Sequence, residues 1–231
     1  MREKKVQFLL AILVAVPLAG RAQAPNLESV LSQMDASSAK FRTCQADFTA
    51  DLFTQVVQEH EIQKGTTAFR RVNGAMEMAT QIQTDDGQPS ERYLLYRDGQ
   101  LYFYQPALKQ ETIMSAGANR GEWDSMLATG FGASGQSLAA GWDVKFEGME
   151  TVGGVQAARL DLVPRQANIR NNVSHLTIWV DLARDLSLKQ VMYQPSGDTR
   201  TVTYSNVRYN LALPASLFTL KVAPGTQVQR R

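Results

Sequence analysis

The sequence holds few of the residues that build metal and catalytic centres. Its 231 residues include one cysteine, Cys44, and two histidines, His60 and His175. A single cysteine cannot form an internal disulfide, and a zinc site needs several Cys or His ligands at close spacing. We therefore predict no metal ion and no cofactor, and we expect Cys44 to behave as a small buried apolar residue.

Motifs of known enzyme classes are also lacking. Residues 130–135 match the spacing GxGxxG, but no strand is predicted before them and no long helix after them, as a dinucleotide site requires. Ser134 lacks the flanking pattern of a nucleophile elbow. His60-Glu61 is not followed by the second histidine of a metalloprotease helix. Because no nucleophile and base stand out together, we predict that the protein is not an enzyme.

Long apolar runs are absent apart from one near the start of the chain. Residues 6–18 are almost entirely apolar, but this stretch is too short to cross the ~30 Å hydrocarbon core of a bilayer as a helix. Basic residues precede it and small residues follow it up to Ala22. Residues 1–22 are therefore predicted to be a signal peptide, with an uncleaved membrane anchor as the alternative. Residues 23–231 would form a single exported domain.

An excess of positive charge is lacking once the predicted signal peptide is removed. The full chain has 24 basic and 22 acidic residues. Residues 23–231 retain 20 basic and 21 acidic residues. Proteins that bind nucleic acids present an excess of basic side chains, so no nucleic-acid partner is predicted.

The dominant pattern that the sequence does contain is the alternation of apolar and polar residues that is typical of β-strands. Residues 27–41 carry apolar side chains at helical spacing, but from residue 43 to residue 58 the period changes to two, which predicts a long strand with one buried face. Asp98-Gly99 and Gly153-Gly154 separate strand-like segments and predict hairpins. Further strands are predicted at residues 63–71, 75–83, 92–97, 100–105, 109–114, 142–151, 155–163, 172–180, 186–194 and 199–209.

Ten or eleven strands joined by short turns predict a mainly β fold built on one large antiparallel sheet. A sheet of this size with one apolar face must curl so that this face is covered by other parts of the chain. The N-terminal helix and short helical segments within residues 121–141, separated by a glycine-rich joint at 130–135, are the only elements predicted to cover it. We therefore predict an incomplete, half-open β-barrel with a helical lid over an apolar hollow.

Three short segments carry further motifs in a fixed order. Residues 46–49 read Ala-Asp-Phe-Thr on the first long strand. Residues 98–106 combine Asp-Gly, aromatic residues and Gln-Pro, and residues 218–225 contain Phe-Thr-Leu and Pro-Gly. Behind a signal peptide, this order resembles the LolA family of periplasmic outer-membrane lipoprotein carriers, and the resemblance covers nearly all of residues 23–231.

The resemblance implies an incomplete β-barrel whose helical lid covers a hydrophobic cavity. It implies a monomeric periplasmic chaperone that binds the acyl chains of lipoproteins and carries them from the inner to the outer membrane. Its implied partners are an inner-membrane lipoprotein-releasing transporter and an outer-membrane acceptor. The same fold occurs in periplasmic regulators, so a lipid-sensing or lipoprotein-sensing module that binds a partner protein is the alternative.

The resemblance also supplies candidate site residues. Arg71 matches the family's arginine that latches the lid through hydrogen bonds to backbone carbonyls, with Val72 where the family has proline. Methionine adapts its shape and suits a pocket for varied acyl chains, although ordinary core packing is the alternative explanation. The predicted cavity lining comprises Phe48, Leu52, Met76, Met78, Leu95, Phe103, Met126 and Leu127.

Overall fold

The computed structural model describes residues 24–117 and 120–231 of the chain. The predicted signal peptide, residues 1–22, lies outside these ranges. The helices of the described ranges are α1 (Leu27–Ser38), α2 (Arg120–Ala128), α3 (Gly135–Gly141) and α4 (Ala167–Arg170). The strands are β1 (Thr43–Thr54), β2 (Glu59–Val72), β3 (Ala75–Asp85), β4 (Gln88–Arg97), β5 (Gln100–Gln105), β6 (Gln110–Ser115), β7 (Trp142–Val152), β8 (Val155–Pro164), β9 (His175–Asp181), β10 (Leu186–Tyr193), β11 (Thr199–Tyr209) and β12 (Gln227–Arg230).

The strands of the described ranges form one sheet of twelve, in the order β12-β6-β5-β4-β3-β2-β1-β11-β10-β9-β8-β7. Two antiparallel meanders, β1 to β6 and β7 to β11, are joined by the pairing of β1 with β11. Among the described strands, β12 and β7 are the two edges and do not pair with each other, so the sheet stays open. The predicted fold class, a mainly β, incomplete barrel with a helical lid, is confirmed.

The local sequence accounts for most of these elements. Along β1 the buried residues alternate with more exposed ones, as the period of two predicts. Asp98 and Gly99 both have positive φ, 55° and 72°, which is the turn geometry that matches the twist of a tight hairpin. The N-terminus of α1 is capped by Asn26, whose side chain accepts a hydrogen bond of 2.8 Å from the Ser29 amide.

Only one face of the sheet is covered by α1 and the lid helices, and we call it the inner face. Val30 and Met34 of α1 and Leu138 of α3 pack there against the strands from β7 to β9. A second inner cluster lies where β2 ends and β10 begins, with Phe41, Cys44, Phe69, Met76, Phe131 and Leu186. Cys44 is fully buried in it, as predicted, and burial raises the pKa of its thiol to about 12.

The C-terminal residues differ from the prediction, which placed no strand after residue 209. Residues 211–226, which we call the C-terminal strap, lie against the outer face of the sheet and lead into β12. The fully buried Phe218 packs there on Ala68 and Leu95. β12 runs parallel to β6. Its four residues, Gln-Val-Gln-Arg, show no clear alternation, because pairing with an open sheet edge places this segment rather than burial of its side chains.

Close packing of α3 on α1 yields a testable difference between two helical glycines. A Cβ at Gly135 would lie 2.2 Å from the backbone oxygen of Leu31, whereas nothing lies within 4 Å of a Cβ at Gly121. We expect Gly135→Ala to lower the free energy of unfolding by about 1–3 kcal/mol. Gly121→Ala should leave it unchanged or raise it, since alanine favours helix. Chemical denaturation of both variants checks this, and equal effects would contradict the close contact between α1 and α3.

Candidate functional site

A lid made of α2, α3 and the connecting residues 129–134 covers the inner face of the sheet. The short helices predicted within residues 121–141 are confirmed as α2 and α3. α2 directs Met126 and Leu127 towards the sheet, and Phe131 of the connection stacks on Phe69 with ring centroids 4.0 Å apart. The lid therefore closes one side of the inner hollow with apolar side chains.

Beneath this lid lies a cavity of about 310 Å³. This volume is at the lower end of the ~300–1,000 Å³ that is usual for ligand pockets. Hydroxyl and amide groups occur at Thr67, Thr80, Thr129 and Gln190, and most of the other lining groups are apolar. The lining residues are Phe48, Thr67, Phe69, Met78, Thr80, Leu94, Leu101, Met126, Leu127, Thr129, Phe131, Leu176, Gln190, Met192, Arg200, Val202 and Tyr204.

Part of the predicted lining meets at this cavity. Phe48, Met78, Met126 and Leu127 line it directly. Leu52 lies next to it and packs against the cluster of Phe48, Ala50 and Ile82. Phe103 pairs with Leu94 across β4 and β5, so it shares the inner face, but it lies two residues along β5 from the lining residue Leu101 and does not line the cavity itself.

Two predicted lining residues lie elsewhere. Met76 is buried in the packed cluster at the end of the cavity, and it borders the crevice between α2 and Arg71. Leu95 faces the outer side of the sheet, where Phe218 of the C-terminal strap covers it. The assignment of Leu95 to the cavity is corrected for a physical reason: β4 is apolar on both faces around Leu94, so its alternation does not say which face is inner.

Several lining residues were missed by the sequence analysis. Phe69 and Leu94 stand at alternate positions of strands that were predicted, so the period of two could have found them. Met192, Val202 and Tyr204 likewise alternate along β10 and β11. Phe131 carried no such signal, because its place over Phe69 depends on how the lid connection folds.

The guanidinium group of Arg71 joins three parts of the molecule. From the end of β2, one of its nitrogens donates a hydrogen bond of 2.8 Å to the backbone oxygen of Ser38 at the end of α1. Another donates a bond of 2.5 Å to the backbone oxygen of Gly132 in the lid. The same side chain lies over the ring of Phe41, 5.6 Å from its centroid. Arg71 therefore ties the lid connection to α1 and the sheet.

The glycine-rich segment of the lid is also bonded to β10. Phe131 forms an isolated antiparallel bridge with Leu186, and the Gly132 amide donates a 3.0 Å bond to the backbone oxygen of Asp185. Gly132 has φ of 77°, and a Cβ there would lie 2.6 Å from the Phe41 ring. Glycine is required here because the backbone passes close to Phe41 in a left-handed conformation.

A buried carboxyl group lies beside this lid connection. Asp185 is fully buried, and neither of its carboxyl oxygens has a hydrogen-bond partner within the described ranges. Burial raises the pKa of this carboxyl to about 8, while the positive charge of Arg71 acts to lower it and Asp35 to raise it. The residue that accepts a bond from Gly132 thus carries a group that ionises only at mildly alkaline pH.

The helix α2 has an attachment of its own. The hydroxyl of the buried Tyr96 donates a hydrogen bond of 2.5 Å to a carboxylate oxygen of Asp124. Trp123 stacks loosely on the Tyr96 ring, with centroids 6.4 Å apart. Burial and the bond to Asp124 raise the pKa of Tyr96 above its ordinary value. Tyr96 under α2 and Arg71 under the connection therefore hold the lid, in addition to the bonds of the connection to Asp185 and β10 and the packing of α3 on α1.

Neither a metal centre nor a membrane-spanning helix is found in the described part of the chain. No group of three or more His, Cys, Asp or Glu side chains in residues 24–117 and 120–231 is placed to hold a metal ion. None of the helices in these ranges is long and apolar enough to cross a bilayer.

Comparison with known proteins yields likeness in structure rather than in sequence. No protein-family model matches the chain, and no curated protein matches it significantly. An uncharacterized conserved protein from Thermus thermophilus has a TM-score of 0.55 and 12% identity, over 88% of this chain and 98% of that one. MucB, which has also been solved in complex with MucA, has a TM-score of 0.51 and 14% identity, over 87% of this chain and 64% of its own.

A putative outer membrane lipoprotein-sorting protein domain from Vibrio parahaemolyticus also resembles the structure. Its TM-score is 0.46 at 16% identity, over 84% of this chain and 97% of that one. At identities of this size the likeness concerns the fold. The fold that the sequence resemblance implied is thus found among solved structures, as in MucB.

Proposed function

We propose that this protein is a non-catalytic periplasmic carrier that binds the acyl chains of lipoproteins in the cavity under the lid and carries them from the inner to the outer membrane. The observation that carries the proposal is an apolar cavity covered by a lid of two short helices and a glycine-rich connection. Each exposed CH₂ of an acyl chain costs roughly 0.8 kcal/mol in water, so a carrier must enclose the chain. A lid of two short helices joined by a glycine-rich connection can enclose it and still open.

The proposed route needs two membrane partners. An inner-membrane lipoprotein-releasing transporter would load the cavity, and an outer-membrane acceptor would empty it. The carrier would act as a monomer, and the predicted signal peptide would direct it to the periplasm. No energy source is needed in the periplasm itself if the acceptor binds the acyl chains more tightly than the cavity does.

Native mass spectrometry with lipid extraction, on protein purified from the periplasm, tests this proposal. Co-purified triacylated lipoproteins would support it and identify the cargo. Free phospholipid or fatty acid would keep the cavity as a binding site but move the function towards lipid transport. Protein that carries nothing and takes up no apolar dye would contradict the proposal.

A charged residue in the cavity wall should block binding. Met78 lines the cavity between Phe69 and Tyr96 on neighbouring strands, whereas Met149 is an exposed methionine of β7. We expect Met78→Asp to weaken binding of an apolar fluorescent dye by tenfold or more, because a carboxylate in an apolar cavity must be desolvated. Met149→Asp should bind the dye like the unchanged protein. Equal dye binding by both variants would exclude Met78 from the site.

A regulatory module that binds a partner protein is the second candidate. The observation that favours it is the likeness to MucB, which has been solved in complex with MucA. Affinity capture from the periplasm separates the two candidates. Recovery of an envelope regulator without lipoproteins would favour the regulatory module, and recovery of lipoproteins would favour the carrier.

A further inference from the structure

One charged side chain lines the cavity without a partner. Among the lining residues in the described part of the chain, Arg200 is the only one with a formal charge at neutral pH. Its Nε atom is buried and has no hydrogen-bond partner within those ranges. The residues paired with it on the neighbouring strands are apolar: Met192, which lines the cavity, and Leu52, which lies next to it.

This lack of a partner distinguishes Arg200 from the arginine that holds the lid. Arg71 donates hydrogen bonds to the carbonyls of Ser38 and Gly132. The buried Nε atom of Arg200 loses its hydration and gains no hydrogen bond in return. The cost is offset when an anion enters, since carboxylate and phosphate oxygens accept two parallel bonds from the guanidinium group.

The position of Arg200 along the sheet defines two ends of the cavity. Arg200 is close to the start of β11 and pairs with Leu52, near the far end of β1. The backbone of Tyr204 lies four residues, or roughly 13 Å, further along β11. Its ring packs at right angles to that of Phe131 under the lid, with centroids 4.9 Å apart. The cavity therefore has an aromatic end beneath the lid connection and a cationic end at Arg200.

We infer that the cavity binds an anionic amphiphile, whose acyl chain lies towards Phe131 and Tyr204 and whose carboxylate or phosphate pairs with Arg200. The inference rests on the acyl-chain cavity of the proposed function and adds a ligand class to it, because the acyl chains of a lipoprotein are linked as esters and amides and bring no carboxylate or phosphate with them. The volume of about 310 Å³ favours a single acyl chain in this closed state of the lid. A free fatty acid and a lysophospholipid share the required chemistry.

Three lipids with the same palmitoyl chain test the inference. Palmitate and lysophosphatidate carry an anionic group, and monopalmitoylglycerol is neutral. Their dissociation constants are measured below the micellar concentration, by displacement of a neutral apolar dye from the whole protein. Arg200→Gln is compared with Arg208→Gln, since Arg208 is an exposed arginine of the same strand.

The unchanged protein should bind at least one of the anionic lipids more tightly than the neutral one. Arg200→Gln should raise the dissociation constant of that anionic lipid roughly ten- to a hundredfold. The dissociation constant of the neutral lipid should stay within about twofold of its value for the unchanged protein. Arg208→Gln should change neither. Which anionic lipid responds distinguishes a carboxylate ligand from a phosphate ligand.

The failure of this inference and that of the proposed function give different results. If all three lipids bind the unchanged protein equally well, or if Arg200→Gln weakens the neutral lipid as much as the anionic ones, the anionic site is wrong and the acyl-chain cavity stands. If neither the dye nor any lipid binds the unchanged protein, the cavity itself is not a ligand site.

Discussion

Replacing Arg71 with leucine is expected to loosen the lid connection, which then keeps only its bonds to the Ser38 hydroxyl, Asp185 and β10. The substitution removes the donors to the Ser38 and Gly132 carbonyls. A charged hydrogen bond contributes roughly 1.5–3 kcal/mol, so the free energy of unfolding should fall by about 2–4 kcal/mol. Backbone amides of the lid connection should exchange hydrogen faster, and a bound dye should leave faster.

Arg70 offers a matched control because it is the neighbouring arginine on the opposite face of β2. It pairs with Glu77 at 2.6 Å and lies 4.1 Å above the Phe218 ring under the C-terminal strap. Arg70→Leu should lower stability without accelerating hydrogen exchange at Phe131 and Gly132. If Arg71→Leu also left these two amides as slow as in the unchanged protein, Arg71 would not hold the lid.

The contribution of Asp185 to the stability of the protein should fall as the pH rises from about 4 to about 8. The unfolded chain releases this proton near pH 4, whereas burial keeps it on the folded protein up to a pKa of about 8. Between these values the folded state binds more protons than the unfolded state, so each rise in pH costs stability. Asp185→Asn removes this titration and also suits the left-handed backbone, where φ is 54°.

Thermal unfolding at a series of pH values measures this effect. The variant Asp185→Asn should gain stability over the unchanged protein, by an amount that grows to a few kcal/mol at pH 8 and is small near pH 4. Asp181, at the other end of the turn between β9 and β10, is a control for which the expected change in stability has the opposite sign. It pairs with Arg184 at 2.6 Å and accepts a bond from the Ala183 amide, so Asp181→Asn should destabilise. A constant difference between pH 4 and pH 8 would show that Asp185 is ionised in the folded state.

Much of the sheet could be predicted because its strands are long and each has one buried face. The bounds predicted for the last long strand, residues 199–209, are those of β11. Asp98-Gly99 defined a hairpin because both residues tolerate positive φ. α2 and α3 were also located, although the glycine-rich segment between them turned out to be hydrogen-bonded on two sides.

The site was harder to predict from the sequence, because its residues meet only through tertiary packing. Alternation does not say which face of β4 is inner, and Leu95 was therefore placed in the cavity. The hydrogen-bond partners of Arg71 came from a family resemblance and not from any local pattern. Nothing in the sequence around Arg200 or Asp185 shows that one faces a cavity and the other is buried, because strands far apart in the chain create both environments.

The pairing of β1 with β11 determines when the molecule can fold during synthesis. The strands from β1 to β6 and from β7 to β10 belong to two local meanders that can form early. The hollow exists only after β11, near the end of the chain, has paired with β1 near its start, as Tyr209 does with Cys44. The free edge of β6 is paired later still, when residues 227–230 have been synthesised and form β12 beside it. A chain shortened before β11 would therefore hold two half-sheets with uncovered apolar faces, and we expect it to aggregate rather than bind.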